Sequence, residues 1–182
     1  MFHFDPLDIA ALKEALQPER IADLNPEVQQ RLKHLLDRLS GAGTVEIYID
    51  GAADRHSRTA GIGGVIYRNG EELITFSEQL PGATNNEAEY QALVYALNLA
   101  RKLKLYDLKI YSDSELIVRQ INGSYKVKNE RMKRYHTQAL KLLSKMNSWS
   151  IRHIPRTQNQ VADRLSKAGM EKNRQDQRDA NS

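Results

Sequence analysis

Four carboxylates stand at positions that a purely solvated surface does not explain. Asp50 closes the β-rich run TVEIYID, and Asp113 follows the run LKIYS and precedes a helical segment. Glu89 shares the spacing i, i+4, i+7, i+11, i+14 with Leu93, Ala96, Ala100 and Leu103, which is the apolar face of one helix. Glu87 falls about 200° away on the same wheel, where it can be solvated. Asp163 lies one turn after Asn159 in the last helical segment. Each acid also has an ordinary explanation. Asp50 before Gly51 suits a turn, Asp113 suits a helix N-cap, Glu89 suits a structural salt bridge, and Asp163 beside Arg164 suits a solvated helix face.

Taken together, the four suggest one site. Open α/β sheets place their sites beyond the carboxyl ends of the strands. Two acids at strand ends and two from helices over the sheet can converge there. Clustered carboxylates repel each other unless a cation neutralises them, and hard divalent cations prefer oxygen ligands. An all-carboxylate set favours Mg²⁺ or Mn²⁺ over zinc. Such a cluster suits phosphodiester hydrolysis by two metal ions, one generating the nucleophile and the other stabilising the leaving oxygen.

The elements that must position these acids are readable from periodicity. Residues 1–43 predict two short helices, one with Leu7, Leu12 and Leu16 on a face, the other opened by Asn25-Pro26 and striped by Val28, Leu32, Leu35, Leu36 and Leu39. Ser40-Gly41-Ala42-Gly43 ends them. Strands follow at 44–50, 61–67 and 72–80, with Asn69-Gly70 as a hairpin turn. A long helix from Thr84 to Leu103 leads to a short buried strand at 108–111. Helices at 114–121 and 128–146, a strand at 149–154 and a helix from 157 to 170, capped by Thr157, complete the order. This predicts an α/β fold: a five-stranded mixed sheet flanked by helices, with a helical extension at 1–43. The polar segment 170–182 is expected to be disordered.

Composition narrows the chemistry. The 182 residues include no cysteine, which excludes a disulfide framework, a catalytic thiol and Cys-ligated zinc. No apolar run approaches the roughly 20 residues of a membrane helix. The start, MFHFDPLDIAALKE, lacks the basic region of a signal peptide, so a cytoplasmic protein without membrane contact is expected. The net charge of +4 is unevenly spread. Residues 1–43 carry five basic and seven acidic side chains, whereas residues 44–169 carry nineteen and thirteen. A basic central segment points to a polyanionic partner.

The segment 44–169 resembles type 1 ribonuclease H. The resemblance rests on YIDGAA (48–53), AGIGGVIY (60–67), TNNEAEYQAL (84–93), YSDSELIVRQINGSYKVKN (111–129) and HIPRTQNQVADRLS (153–166), in that order and spacing. It implies a ribonuclease H-like fold and hydrolysis of the RNA strand of an RNA–DNA hybrid to 5′-phosphate and 3′-hydroxyl ends. The metal-binding acids then fall on Asp50, Glu89, Asp113 and Asp163, holding two Mg²⁺, with Mn²⁺ as an alternative. Thr84 and Asn86 would bind a DNA-strand phosphate, and Asn85 would contact the minor groove. Thr84-Asn85-Asn86 also suits a simple helix cap. Lys126, Lys128 and Asn159 are further candidate nucleic-acid contacts, and double-stranded RNA is a second candidate substrate.

The chain departs from the family pattern in four places. The loop 54–59 carries Arg55, His56 and Arg58 in place of Gly-Asn-Pro. Glu115 stands where the family often has Gln, and an acid there should weaken binding or be turned away. The basic, Trp-rich handle is absent, as in forms from archaea and some bacteria. The family's mobile His falls at His153, with Arg156 as the alternative assistant to catalysis. Two rival functions remain: an inactive hybrid-binding module, or another nuclease of this fold such as an integrase, transposase or resolvase. The helices of 1–43 are acidic and are expected to pack on the core or dock a protein partner.

Overall fold

The computed structural model describes residues 14–39, 44–54, 56 and 58–179. The chain divides into two compact units, 1–43 and 44–182. In the first unit, helix α1 spans Pro18–Ile21 and α2 spans Pro26–Leu39. Asn25 opens α2 as expected, its Oδ1 accepting the Glu27 N–H at 2.9 Å. The predicted helix around Leu7 and Leu12 lies outside the described residues, as does Arg55.

The second unit is built on strands β1 (Val45–Asp54), β2 (Thr59–Arg68), β3 (Glu71–Pro81), β4 (Asp107–Ser112) and β5 (Ser148–His153). Their order in the sheet is β3-β2-β1-β4-β5. β1, β2 and β3 form an antiparallel meander, and β4 and β5 add in parallel. The mixed sheet read from the sequence is therefore present. β1 continues four residues past Asp50, because Asp50 to Asp54 stay paired with Gly63 to Thr59 on β2. What ends near Asp50 is the parallel ladder, whose last pair is Ile49 with Ser112.

Alternation along β1 sends Val45, Ile47 and Ile49 to one face, all fully or nearly fully buried. Helix α3 (Asn85–Lys102) covers that face, and α4 (Glu115–Ile121) and α5 (Glu130–Leu143) belong to the same core. Glycine permits the close approach of α3, since a Cβ on Gly51 would lie 2.2 Å from the Glu89 nitrogen. The opposite face receives α6 (Gln160–Asp179). A Cβ on Gly63 would lie 2.1 Å from the Ser166 nitrogen, so this glycine seats α6 on β2.

Three sequence expectations change. A short 3₁₀ turn at Arg156–Gln158 precedes α6, so Thr157 does not cap the helix. Asn159 immediately precedes α6, and its carbonyl accepts the Asp163 N–H at 3.0 Å. The segment after 169, expected to be disordered, continues α6 to Asp179, its Glu, Lys, Gln and Arg side chains being good helix formers. Glu87 is buried rather than solvated: its carboxylate closes a capping box with Thr84 and pairs with Arg131 on α5 at 3.3 Å.

Candidate active site

Asp50 and Asp113 each stand one residue beyond the last parallel pair of β1 and β4. The register thus places two carboxylates side by side where the backbone ladder stops. Glu89 enters from the first turns of α3, at the point where Gly51 lets that helix touch β1. Carboxylate oxygens of Asp50, Glu89 and Asp113 all lie within 4.8 Å of one another. Asp50 and Glu89 are each 5% exposed.

The acids are positioned by neutral donors. Ser166 donates its hydroxyl to Asp50 Oδ2. Asn159, 1% exposed, donates from Nδ2 to Asp113 Oδ1 at 2.8 Å and to the Ile49 carbonyl at 2.9 Å. It therefore satisfies a strand carbonyl just where the β1–β4 ladder ends. Its burial corrects the expectation of a nucleic-acid contact: Asn159 orients Asp113 instead. Ser166 was given no role by sequence reasoning. Its signal is the spacing of Ala162, Ser166 and Gly169, small buried residues that form the α6 face on the sheet.

Asp163, the fourth acid, stands beside this trio but is turned differently. Its Oδ1 accepts from the Arg156 guanidinium, and its Oδ2 accepts from Lys167 Nζ at 2.7 Å. It is close enough for its charge to act on Asp50.

The electrostatics follow this division. Burial pushes Asp50 up to about 6, with Asp113 and Asp163 adding to the rise against the Ser166 hydrogen bond and the Arg156 charge. Glu89 is raised well above the ordinary carboxylate range, first by burial and then by Asp50 and Asp113. Burial also acts to raise Asp163, but Lys167 and Arg156 outweigh it and hold that carboxyl below its ordinary value. Glu89 Oε2 is buried and has no hydrogen-bond partner. A buried carboxylate oxygen without a hydrogen-bond partner, on a member of an all-oxygen trio, fits a hard divalent cation.

The remaining candidates surround this centre. Thr84, Asn85 and Asn86 are exposed on the first turn of α3. The Thr84 hydroxyl and N–H both donate to Glu87 Oε2, at 2.9 and 2.8 Å, so the capping role read from the sequence is present. Lys126 and Lys128 are exposed between α4 and α5. His153 is exposed at the end of β5, in register with Ser112. Glu115 is turned along α4 onto Arg119, 2.8 Å from its Nε, which neutralises the unexpected acid.

Residues 48–169 match the family described as reverse transcriptase-like. Ribonuclease HI of Halobacterium salinarum is 32% identical over 130 residues, which span 71% of this chain and 65% of that protein. A bifunctional protein of Mycobacterium tuberculosis is 34% identical over 129 residues, spanning 70% of this chain but 35% of that protein. Among solved structures, ribonuclease H1 of H. salinarum aligns with a TM-score of 0.69 at 32% identity, covering 71% of this chain and 99% of that one. The ribonuclease H1 called LC11, in complex with an RNA/DNA hybrid, aligns with a TM-score of 0.67 at 36% identity, covering 71% and 98%.

Proposed function

Because the chain belongs to the ribonuclease H family, in the group described as reverse transcriptase-like, we propose that it is a divalent-cation-dependent endoribonuclease. It hydrolyses the RNA strand of RNA–DNA hybrids to 5′-phosphate and 3′-hydroxyl ends. The observation that carries this reading is the trio Asp50, Glu89 and Asp113 with its unpartnered buried oxygen on Glu89. These three would hold one cation, and Asp163 would serve a second. The bound ions, Mg²⁺ with Mn²⁺ as an alternative, supply Lewis acidity that activates water and stabilises the leaving oxygen.

The chain's own residues do the rest. Ser166 and Asn159 hold Asp50 and Asp113 in fixed rotamers, so little reorganisation is needed. Asn85 and Asn86, with the rim of Thr84, meet the hybrid at the first turn of α3, where a phosphate is favoured by the helix N-terminus. Lys126 and Lys128 contact phosphates on the handle-less side and make binding salt-dependent. His153, exposed at the end of β5, and Arg156, paired with Asp163, would assist catalysis from the edge of the site. Selection of RNA comes through the 2′-hydroxyl and the wide A-like minor groove. The acidic unit 1–43 would dock a protein partner rather than the hybrid. A cytoplasmic site of action fits the absence of cysteine and, among the described residues, of any helix able to cross a membrane.

A labelled substrate panel tests this reading: RNA–DNA hybrid, double-stranded RNA, a four-way junction and duplex DNA, each with Mg²⁺ and with Mn²⁺. Cutting of the hybrid's RNA strand is expected. Cutting of DNA alone identifies a different nuclease of this fold, and no cutting at all identifies a binding module.

A further inference from the structure

The four acids do not face the same kind of partner. Asp50 accepts from a hydroxyl and Asp113 from an amide, both neutral, while Glu89 keeps a buried oxygen without a hydrogen-bond partner. Asp163 instead has both oxygens taken by permanent cations, Arg156 and Lys167. The Asp163 side chain is 16% exposed, so this pairing is partly shielded from water, whereas Arg156 is 65% exposed and open to solvent. Arg156 sits on the 3₁₀ turn that leads into α6, so it can leave without moving the helix that carries Asp163.

We propose that Arg156 is a built-in competitor for the second cation, holding Asp163 out of cation binding until a phosphate draws the guanidinium away. A first ion entering the trio displaces no positive charge. A second ion using Asp163 must break the Arg156 pair, so the two sites fill in order. A nucleic-acid phosphate is the natural alternative partner, since guanidinium and phosphate match as paired forks. Arg156 is then a positioning residue that couples substrate docking to completion of the site. This inference rests on the proposed cation-dependent function and adds the order of assembly to it.

Mn²⁺ binding to the full chain, followed by the electron paramagnetic signal of the free ion, tests it. The unaltered chain should bind one Mn²⁺ well and a second at least about tenfold more weakly. Arg156→Ala should tighten the second ion about tenfold, equivalent to about 1.4 kcal/mol. Arg156→Lys keeps the charge and should leave the second ion weak, which guards against a folding artefact. Asp163→Asn added to Arg156→Ala should abolish the gain, a result that a long-range charge effect on the trio would not give. Two equal ions on the unaltered chain, or no change in Arg156→Ala, overturn the inference while hybrid cleavage stands. No Mn²⁺ binding at all overturns it together with the cation-dependent function.

Discussion

The Asn159 amide nitrogen lies 2.8 Å from Asp113 Oδ1, and this one contact ties the start of α6 to the end of β4. The same nitrogen bonds the Ile49 carbonyl, so Asn159 closes the gap where β1 and β4 cease to pair. Asn159→Ala leaves that buried carbonyl unsatisfied and frees Asp113 to rotate. The expected cost is about 1–3 kcal/mol of stability, with weakened cation affinity. Chemical denaturation and Mn²⁺ titration of the variant check both. Unchanged affinity would show that Asp113 does not depend on this bond.

Ser166 has a separate and more electrostatic role. Its hydroxyl favours the charged form of Asp50, against burial and the neighbouring acids. Ser166→Ala should therefore raise the Asp50 pKa further above 6. Cation binding needs the carboxylate, so its onset should move to higher pH in the variant. Mn²⁺ titrations between pH 5.5 and 8.5 read the shift, and an unmoved or acid-shifted onset contradicts it.

The cation-free protein should lose stability as pH rises. Asp50 has a folded-state pKa of about 6 against an ordinary 3.8, so between those values the folded state binds more protons than the unfolded one. Stability from this group is fully present below its unfolded value and falls through the folded value, by roughly 3 kcal/mol over the full shift. Glu89 adds in the same direction. Glu87 and Asp163, held below their ordinary values, act oppositely but in a more acid range. Melting temperatures in chelator should fall from about pH 5 to pH 7.5, and Mg²⁺ should restore stability at pH 7.5 far more than at pH 5. A profile that rises with pH in chelator contradicts the buried-acid account.

Gly51→Ala tests how Glu89 is brought to the site. The added Cβ would meet the backbone of α3 at 2.2 Å, and backbone cannot move aside as a side-chain tip can. Overpacking of this kind costs about 1–3 kcal/mol, and α3 must shift with Glu89 on it. Both stability and cation affinity should drop together in thermal melts and Mn²⁺ titrations. A stable variant that binds the ion normally would mean that the helix approach is looser than its geometry.

The face of α3 illustrates what could be read in advance. The wheel that set Glu89 with Leu93, Ala96, Ala100 and Leu103 describes a face that is buried in the fold as far as Ala100, because helical period decides it, but Leu103 caps the helix and is exposed. The same wheel gave Glu87 to solvent, where the structure buries it. Its partner Arg131 lies on α5, 44 residues later, and no local period reports such a contact. The end of β4 just before Asp113 was legible from alternation. The continuation of β1 beyond Asp50 was not, since it depends on antiparallel pairing with β2. The four acids were found as residues, but their division into a trio and a cation-paired fourth arises from α6 docking and the Arg156 turn. Ser166 escaped notice because a serine among small residues carries no sign of its partner until the helix is seated on the sheet.

Asp50→Asn gives the most direct test of the central claim. The substitution keeps size and the ability to accept from Ser166, and it removes one of the charges that crowd the site. Cleavage of an RNA–DNA hybrid in Mg²⁺ should fall to background, while hybrid binding persists and the cation-free melting temperature holds or rises. Cleavage at a near-normal rate by a folded Asp50→Asn protein would contradict the account.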